Sequence, residues 1–534
     1  MLYFIPAWYQ QNKWCENEQY WYSRRMHTEF DDTVKHIQLF QRSKAYEFKI
    51  MLLSFAPNLR HFLHRQSAFC APYWSCFDAI QEITRKKMAT FSYHNLNWPE
   101  DIEFVYNPFV AYAFLKGEKY ARLDFGEDGN LIQIDMYKNE KRKRRNIYDD
   151  RGFVSSTIIY NDSEEPVHQD YLTDKGMWKI RYFFKDEHVE VNQKYPSYLI
   201  EHEDVQYKKE FSRKVYENLE QVISEVLSSY LAYVRKKDVF CVAMHELHME
   251  MIKKLLKSKK VILSYYGERY DIKRCKDDMS MIDIANYIIT DSKDTLNKIK
   301  RRTNRIINNI LDITPFDTRV DFGISQQLNV QKIMVPVDGM DEDRFDEMIG
   351  ILGQYVMDNE NAHIHLFTRI ANYDRTQELL SKTRLYLRKA GLDTNIAREI
   401  DSNKKQDVIL DEGEEVKVKF YVEQCVDELS VSKCIREQRL IVDMRKIPDL
   451  FLRIAGLSVG IPQLISRESQ FVEEGKNGFL LKDMSELTEK MKFYLDGLTN
   501  WNKAMVYSYE IGKDYSTNAL IEKWKEVIDF VGCD

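Results

Sequence analysis

Residues 455–481 read AGLSVGIPQLISRESQFVEEGKNGFLL. They begin as the end of an apolar helix, closed by a tight Gly460-Ile461-Pro462 turn. Glycine takes the left-handed backbone that stops a helix, and proline cannot extend one. Residues 463–466 then form a short strand, and Glu474-Gly475-Lys476-Asn477-Gly478-Phe479 form a loop. A helix that hands over to a buried strand within so few residues is the unit of an α/β chain.

The same unit repeats outward from this stretch. Upstream lie strand 332–337, helix 342–357, strand 363–369, helix 374–390, strand 416–420, helix 426–435, strand 439–444 and helix 449–457. An earlier series runs through strand 239–244 with a helix to Lys257, strand 261–265, strand 287–290 with a helix to Arg302, and a short strand at 311–315. Two such βα series predict two parallel, doubly wound sheets with a hinge near 318–330. Residues 2–9 read as a further buried strand, residues 71–80 as a loop beside a surface cleft, and residues 501–531 as helix. Between 102 and about 192 the period changes to two. Ala121, Leu123 and Phe125 alternate with Tyr120, Arg122 and Asp124, and Glu127-Asp128-Gly129-Asn130 supplies a turn. This predicts an antiparallel meander inserted into the first series.

The 534 residues suffice for two or three domains, and 44% apolar residues suffice for sizeable cores. The charge is 78 − 84 = −6, so no global field recruits nucleic acid. The N-terminus MLYFIPAW has neither a basic leader nor a cleavage site, and no run approaches the roughly 18 apolar residues of a membrane span. The eight cysteines (15, 70, 76, 241, 275, 425, 434 and 533) include no Cys-x-x-Cys pair, which predicts reduced thiols in a cytosolic protein.

The Gly460-Ile461-Pro462 turn followed by Asn477-Gly478-Phe479 resembles the donor-site segment of GT-B nucleotide-sugar glycosyltransferases. In active members a glutamate precedes that glycine by five residues, and a second stands eight residues earlier. Here those positions hold Ala455 and Ile447. Active members also carry a Gly-Arg pair and a lysine after the first strand of the second domain. This chain has Val337-Asp338-Gly339-Met340-Asp341-Glu342-Asp343-Arg344, four carboxylates where a diphosphate would sit. Helix capping by Asp341 and Asp343 accounts for them, with Arg344 the one cation within reach. No cofactor and no catalytic residue is expected.

The insertion is similar to the β-sheet insertion of transferases that start glycosylation of serine-rich-repeat adhesins, through Arg151-Gly152-Phe153-Val154-Ser155-Ser156, Tyr160, Val167-His168-Gln169-Asp170-Tyr171-Leu172 and Gly176. Architecture and missing chemistry together resemble the first accessory secretory proteins of the accessory Sec system. That resemblance implies an α/β, GT-B-like fold of two Rossmann-like domains. Its expected parts are 1–100 and 206–325 for the first domain, 101–205 for the insertion, 326–500 for the second domain, and 501–534 for a helix crossing back. It also implies a non-catalytic scaffold at the cytoplasmic membrane. Its partners would be a SecA-like motor ATPase, two other accessory secretory proteins and the glycosylated adhesin. The alternative is a glycosyltransferase, active or as a non-catalytic partner subunit, that modifies a Ser/Thr-rich adhesin.

Three basic clusters are candidate contacts for anionic lipid or a partner. Lys141, Arg142, Lys143, Arg144 and Arg145 are expected at a hairpin tip. Lys253, Lys254, Lys257, Lys259 and Lys260 are expected on one helix, opposite Met251, Ile252, Leu255 and Leu256. Lys298, Lys300, Arg301, Arg302 and Arg305 form the third. His245-Glu246-Leu247-His248 has a spacing of three where a zinc helix needs four, so His245 is at most a vestigial acceptor contact. Tyr73, Trp74, Tyr93 and Trp98 are candidate aromatic walls of the cleft.

Overall fold

A computed structural model describes the chain except residues 11, 17, 19, 21, 23–30, 90, 204, 268, 273–278, 304–306, 319–322, 399–416 and 533–534. Arg305, Cys275 and Cys533 therefore lie outside the described residues. The six described cysteines are all free.

Among the described residues the first parallel sheet has seven strands, in the order Ile310–Asp312, Tyr287–Thr290, Lys260–Tyr265, Val239–Ala243, Leu2–Ile5, Phe48–Leu52 and Tyr73–Ser75. The N-terminal strand sits inside it, paired with residues on both sides. Its alternate side chains serve two cores: Tyr3 and Ile5 join one, Leu2 and Phe4 the other. A strand buried on both faces is uniformly apolar, which is why LYFI carries no alternation. It ends at Ile5 rather than at residue 9, because Pro6 has no N–H to give the ladder.

The second parallel sheet runs Phe420–Gln424, Ala362–Thr368, Gln331–Pro336, Gln438–Asp443, Gln463–Ile465 and Gly478–Leu480. Helices Glu342–Asp358 and Tyr373–Lys389 cover one face with Phe345, Met348, Leu352 and Leu387. Both sheets are wound outward in two directions from their first strand, so each presents a crevice at the carboxyl ends of its strands.

The insertion is a ten-stranded antiparallel sheet reaching from Ile102–Tyr106 to Val189–Val191, with Val215–Tyr216 closing its far edge. From Ile102–Tyr106 to Val189–Val191 neighbouring strands follow one another in the chain, the layout of a meander, and the separate hairpin Ser197–His202/Val205–Glu210 precedes the edge strand Val215–Tyr216. Asn139 and Glu140 both have positive φ, 53° and 59°, which makes the turn before Lys141–Asp149 a tight two-residue hairpin.

Residues 71–80 differ from the sequence expectation. They form the edge strand Tyr73–Ser75 and the helix Cys76–Ile80, capped by the Ser75 hydroxyl, which accepts from the Asp78 N–H at 3.2 Å. Three residues are too few to carry a period, and the strand exists only because Phe48–Leu52 pairs with it. The strand expected at 416–420 also moves, to Phe420–Gln424, with residue 416 itself outside the described residues. At the C-terminus, helices Leu498–Gly512 and Thr517–Gly532 carry the chain back to the first sheet. There the Trp524 ring packs edge-on against His36 and Phe40, at 4.9 and 5.3 Å.

The short helix Cys76–Ile80 also anchors the meander. Arg151 is buried and donates to both oxygens of Asp149, each at 2.7 Å, and to both oxygens of Asp78, at 2.8 and 2.9 Å. Burial pushes the Asp78 carboxyl up, but Arg151 beside it outweighs burial and holds it below the usual carboxylate range. Gln81 adds donations to the carbonyls of Ser155 and Leu172, at 2.8 and 2.5 Å.

Candidate functional site

The crevice between the two parallel sheets is where a doubly wound pair binds its ligand. Its floor on the second sheet is built from the loops after Gln331–Pro336, Ala362–Thr368 and Gln438–Asp443. Arg344, Arg369, Arg375 and Arg445 stand in or just after these loops, and the helix Leu450–Val459 adds Arg453. Enough positive charge for a diphosphate is therefore present. It is occupied internally.

Arg445 donates to Asp443 at 2.8 and 2.9 Å, and Arg453 lies 3.3 Å from the same carboxylate. Burial raises the Asp443 carboxyl, yet the two guanidiniums outweigh it and keep the group ionised. Arg369 donates to Asp449 at 3.0 and 3.2 Å. Arg375 pairs with Asp338 at 2.9 Å, and Asp338 also accepts from the Thr368 hydroxyl and the Arg369 N–H. Arg344 donates to the Met444 carbonyl at 2.7 Å. A phosphate entering here would have to break pairs made in low dielectric, where losing one partner of a buried pair costs about 3–5 kcal/mol.

The carboxylates after Gln331–Pro336 take part in this scheme in a way that the capping expectation did not foresee. Asp341 occupies the N-cap of Glu342–Asp358, but its side chain makes no cap hydrogen bond. It pairs with Lys446 at 2.8 Å, while Glu342 meets Lys382 at 2.8 Å. The two positions that hold glutamate in active GT-B enzymes are apolar in place. Ile447 lies exposed in the loop after Gln438–Asp443, and Ala455, on helix Leu450–Val459, packs against the core.

Within residues 460–479, Gly460, Asn477 and Gly478 each have a structural role. Gly460 caps the helix at φ 81°, and a side chain there would meet Met505 at 2.7 Å. Buried Asn477 donates to the Phe471 carbonyl at 2.9 Å and accepts from the Glu473 N–H at 2.8 Å, which holds the loop shut. Gly478 pairs with Gln463 so closely that a Cβ would lie 2.1 Å from the Gln463 carbonyl oxygen.

On the first sheet, His248 is buried. Its Nδ1 accepts from the Tyr9 hydroxyl at 2.8 Å, and its Nε2 donates to the Ala243 carbonyl at 2.8 Å. His245 stacks edge-on against Tyr9 with ring centres 5.0 Å apart. Burial lowers both imidazoles, to about 4 for His245 and about 3 for His248, so both are neutral at pH 7. No group of three or more potential metal ligands occurs among the described residues. Beside them Arg269 bridges Asp31, at 2.7 Å, and Asp32. It also donates to the Met244 carbonyl at 3.0 Å. The sequence reading missed this network, because its partners are 237 residues apart and Asp31-Asp32 reads locally as a helix cap.

The aromatic residues expected as cleft walls are not brought together. Trp74 is in the core, stacked on Tyr230 at 4.3 Å. Tyr93 and Trp98 pack with Phe104 on the meander, joined by the Trp98 Nε1 donation to the Tyr93 carbonyl at 2.7 Å. The basic clusters also change. Lys141, Arg142, Lys143, Arg144 and Arg145 lie along a strand rather than at a hairpin tip, because the turn is made by Asn139 and Glu140. Asp135 takes Arg145, at 2.7 Å, and Arg142, at 3.4 Å. Asp162 pairs with Lys143 and accepts from Lys141 through its carbonyl. Lys253 and Lys254 are on helix Met249–Leu255 and Lys257 follows it, but Lys260 belongs to a strand and Lys259 donates to the Leu231 carbonyl. Lys298 is paired with Asp294.

The family model for the first accessory secretory protein of the accessory Sec system matches residues 1–530. The chain belongs to that family. It is 32% identical over 540 residues to the family's member in Streptococcus gordonii, covering 99% of this chain and all of that one. Among solved structures it is similar to the crystal structure of accessory secretory proteins 1, 2 and 3 of Streptococcus pneumoniae, with a TM-score of 0.80, 27% identity and 99% of both chains covered. The pneumococcal O-GlcNAc transferase GtfA, solved with UDP and GlcNAc, matches with a TM-score of 0.62 at 12% identity, over 100% of this chain and 99% of that one. At that identity the likeness concerns the fold, which is GT-B-like, with two parallel α/β sheets and an antiparallel one. No helix among the described residues is long and apolar enough to cross a membrane.

Proposed function

We propose that this accessory Sec protein is a catalytically inactive, cytosolic scaffold in the export of a glycosylated serine-rich-repeat adhesin. It would work with a SecA-like motor ATPase and with two further accessory secretory proteins, as the pneumococcal relative was solved together with proteins 2 and 3. One observation carries the lack of catalysis. Each of the five arginines gathered at the donor face is tied to an internal carboxylate or carbonyl, and the two glutamate positions hold Ile447 and Ala455. Arginines held in this way are not available to a diphosphate, and the apolar pair offers no carboxylate to a transition state.

Calorimetric titration with UDP, UDP-N-acetylglucosamine and UDP-glucose at millimolar ligand tests this reading. The expected result is no saturable heat with any of the three. Saturable binding would show that the donor face is open and would bring the active-transferase reading forward, to be decided by donor-sugar hydrolysis or transfer.

Association with an anionic membrane surface is proposed through the exposed part of the basic clusters. Exposed Arg144, Lys254 and Lys257, with half-buried Lys253 beside the two lysines, are the better candidates, since Arg142, Lys143 and Arg145 are ion-paired within the meander. Each cation at such a surface contributes about 1 kcal/mol. Reversing Lys253, Lys254 and Lys257 to glutamate is expected to reduce binding to phosphatidylserine-containing vesicles by about a hundredfold or more. Equal binding of the variant would remove that helix from the proposal.

A further inference from the structure

Among the described residues, the three most exposed large apolar side chains are Tyr373, Leu429 and Ile447, at 68%, 65% and 62%. They are distant in the chain, yet all stand on the carboxyl edge of the second sheet. Tyr373 opens the helix after strand Ala362–Thr368, Leu429 is in the first turn after strand Phe420–Gln424, and Ile447 is in the loop after strand Gln438–Asp443. Three strand spacings separate the outer two of these strands, about 14 Å.

The loops that carry them are tied into one surface. Gln424 donates to the Asn372 carbonyl at 2.6 Å, Arg375 pairs with Asp338 at 2.9 Å, and Lys446 pairs with Asp341 at 2.8 Å. Lys35 of the first sheet's helix Asp32–Ser43 reaches Glu428 at 2.5 Å, so the patch lies beside the mouth of the crevice. Side chains this exposed project outward instead of lining a concavity. A small ligand would leave most of this apolar area in water. A facing macromolecular surface has three apolar knobs to cover.

The surrounding charge selects among macromolecules. Asp341, Glu342, Asp343 and Asp374 are exposed where these loops enter their helices. Two of these carboxylates are already paired, Asp341 with exposed Lys446 and Glu342 with half-buried Lys382, which leaves Asp343 and Asp374 to face a partner. An anionic bilayer would be repelled. A polypeptide carrying lysine or arginine beside apolar side chains is matched in both respects.

We infer that the carboxyl edge of the second sheet, where an active relative of this fold would hold its sugar donor, is a docking surface for a cationic, apolar-bearing segment of a partner protein. The inference rests on the proposed role in a multiprotein assembly and adds the surface that the assembly uses. The ion pairs that shut the donor site have a second consequence here. They hold neighbouring loops in one rigid register, which a protein surface needs and a donor-binding site that must open does not.

The test is copurification and titration of the full chain with its cognate second and third accessory secretory proteins. The Leu429→Glu/Ile447→Glu variant and the Asp343→Lys/Asp374→Lys variant are each expected to weaken binding of one partner about tenfold or more. The melting temperature of the Leu429→Glu/Ile447→Glu variant should stay that of the wild type, since both side chains are exposed, whereas Asp343→Lys/Asp374→Lys, which puts cations in the first turn of two helices, should lower it only slightly. Met357→Glu/Leu385→Glu, exposed apolar positions away from this edge, is expected to bind normally. Wild-type partner binding by both edge variants would overturn the inference while leaving the assembly reading intact. So would loss of vesicle binding with partner binding retained. If the wild-type chain bound neither protein, the assembly reading would fall, and the docking surface with it.

Discussion

Arg151→Met is expected to destabilise the chain by about 3–5 kcal/mol, the cost of breaking a buried ion pair from one side. The guanidinium satisfies both oxygens of Asp149 and both of Asp78, and those carboxylates have few other routes to neutralisation. Asp149 keeps a contact with Arg60 at 3.4 Å, whereas Asp78 loses the guanidinium that holds it ionised against burial. Methionine fills comparable volume, so the loss reports charge rather than a cavity. Asp78 is held low in the folded wild type, so its contribution to stability is present above the unfolded carboxylate pKa of about 3.9 and is lost as pH falls through the folded value. The variant should therefore lose stability at neutral pH and lose much less at acid pH. Urea unfolding at both pH values measures this. An equal loss at both would mean that Arg151 acts through packing. Because Arg151 joins the meander to the helix Cys76–Ile80, the meander is also expected to gain protease sensitivity before the parallel sheets do.

Gly478→Ala is the second large effect, expected at about 3 kcal/mol. The new methyl would lie 2.1 Å from the Gln463 carbonyl oxygen and 2.5 Å from Val472. Neither contact is the free end of a long side chain, so the two strands must separate. Gly475→Ala is the control. Gly475 has φ 75° with open space around its α-carbon, so alanine there meets only backbone strain of about 1 kcal/mol. Similar losses in the two variants would show that the strands yield, and that close approach is not what glycine provides at residue 478. The result also bears on function. A glycine that looks like a remnant of a sugar-donor loop is required here by the sheet itself.

That distinction marks how far the sequence could be read. The two βα series were legible because parallel strands buried on both faces are continuous apolar runs between amphipathic helices. Strand Tyr287–Thr290 and helices such as Glu342–Asp358 and Tyr373–Lys389 lie within a residue of where periodicity places them. The meander was legible from its period of two. Elements whose existence depends on a distant partner were not: Tyr73–Ser75 is a strand only beside Phe48–Leu52, and residues 6–9 are not a strand although they are largely apolar.

The candidate site divides in the same way. Absence of chemistry is local information: Ile447 and Ala455 can be read directly at their positions, and so can the run of carboxylates from Asp338 to Asp343. What happens to charge is not local. Sequence counts the cations Lys141 to Arg145 as free, and the tertiary structure sets Asp135 and Asp162 against them. Sequence also shows the arginines around the donor face without their fate, because Arg369 and Asp449 are 80 residues apart and Arg375 and Asp338 are 37 apart. Three apolar residues scattered between Tyr373 and Ile447 become one surface only when strand order places their loops side by side. Side-chain type and hydrophobic period belong to each residue and its near neighbours, so the sequence alone determined the fold class and the missing glutamates. Charge neutralisation and surface contiguity depend on which residues the sheets bring within a few ångströms, and those only the tertiary structure decided.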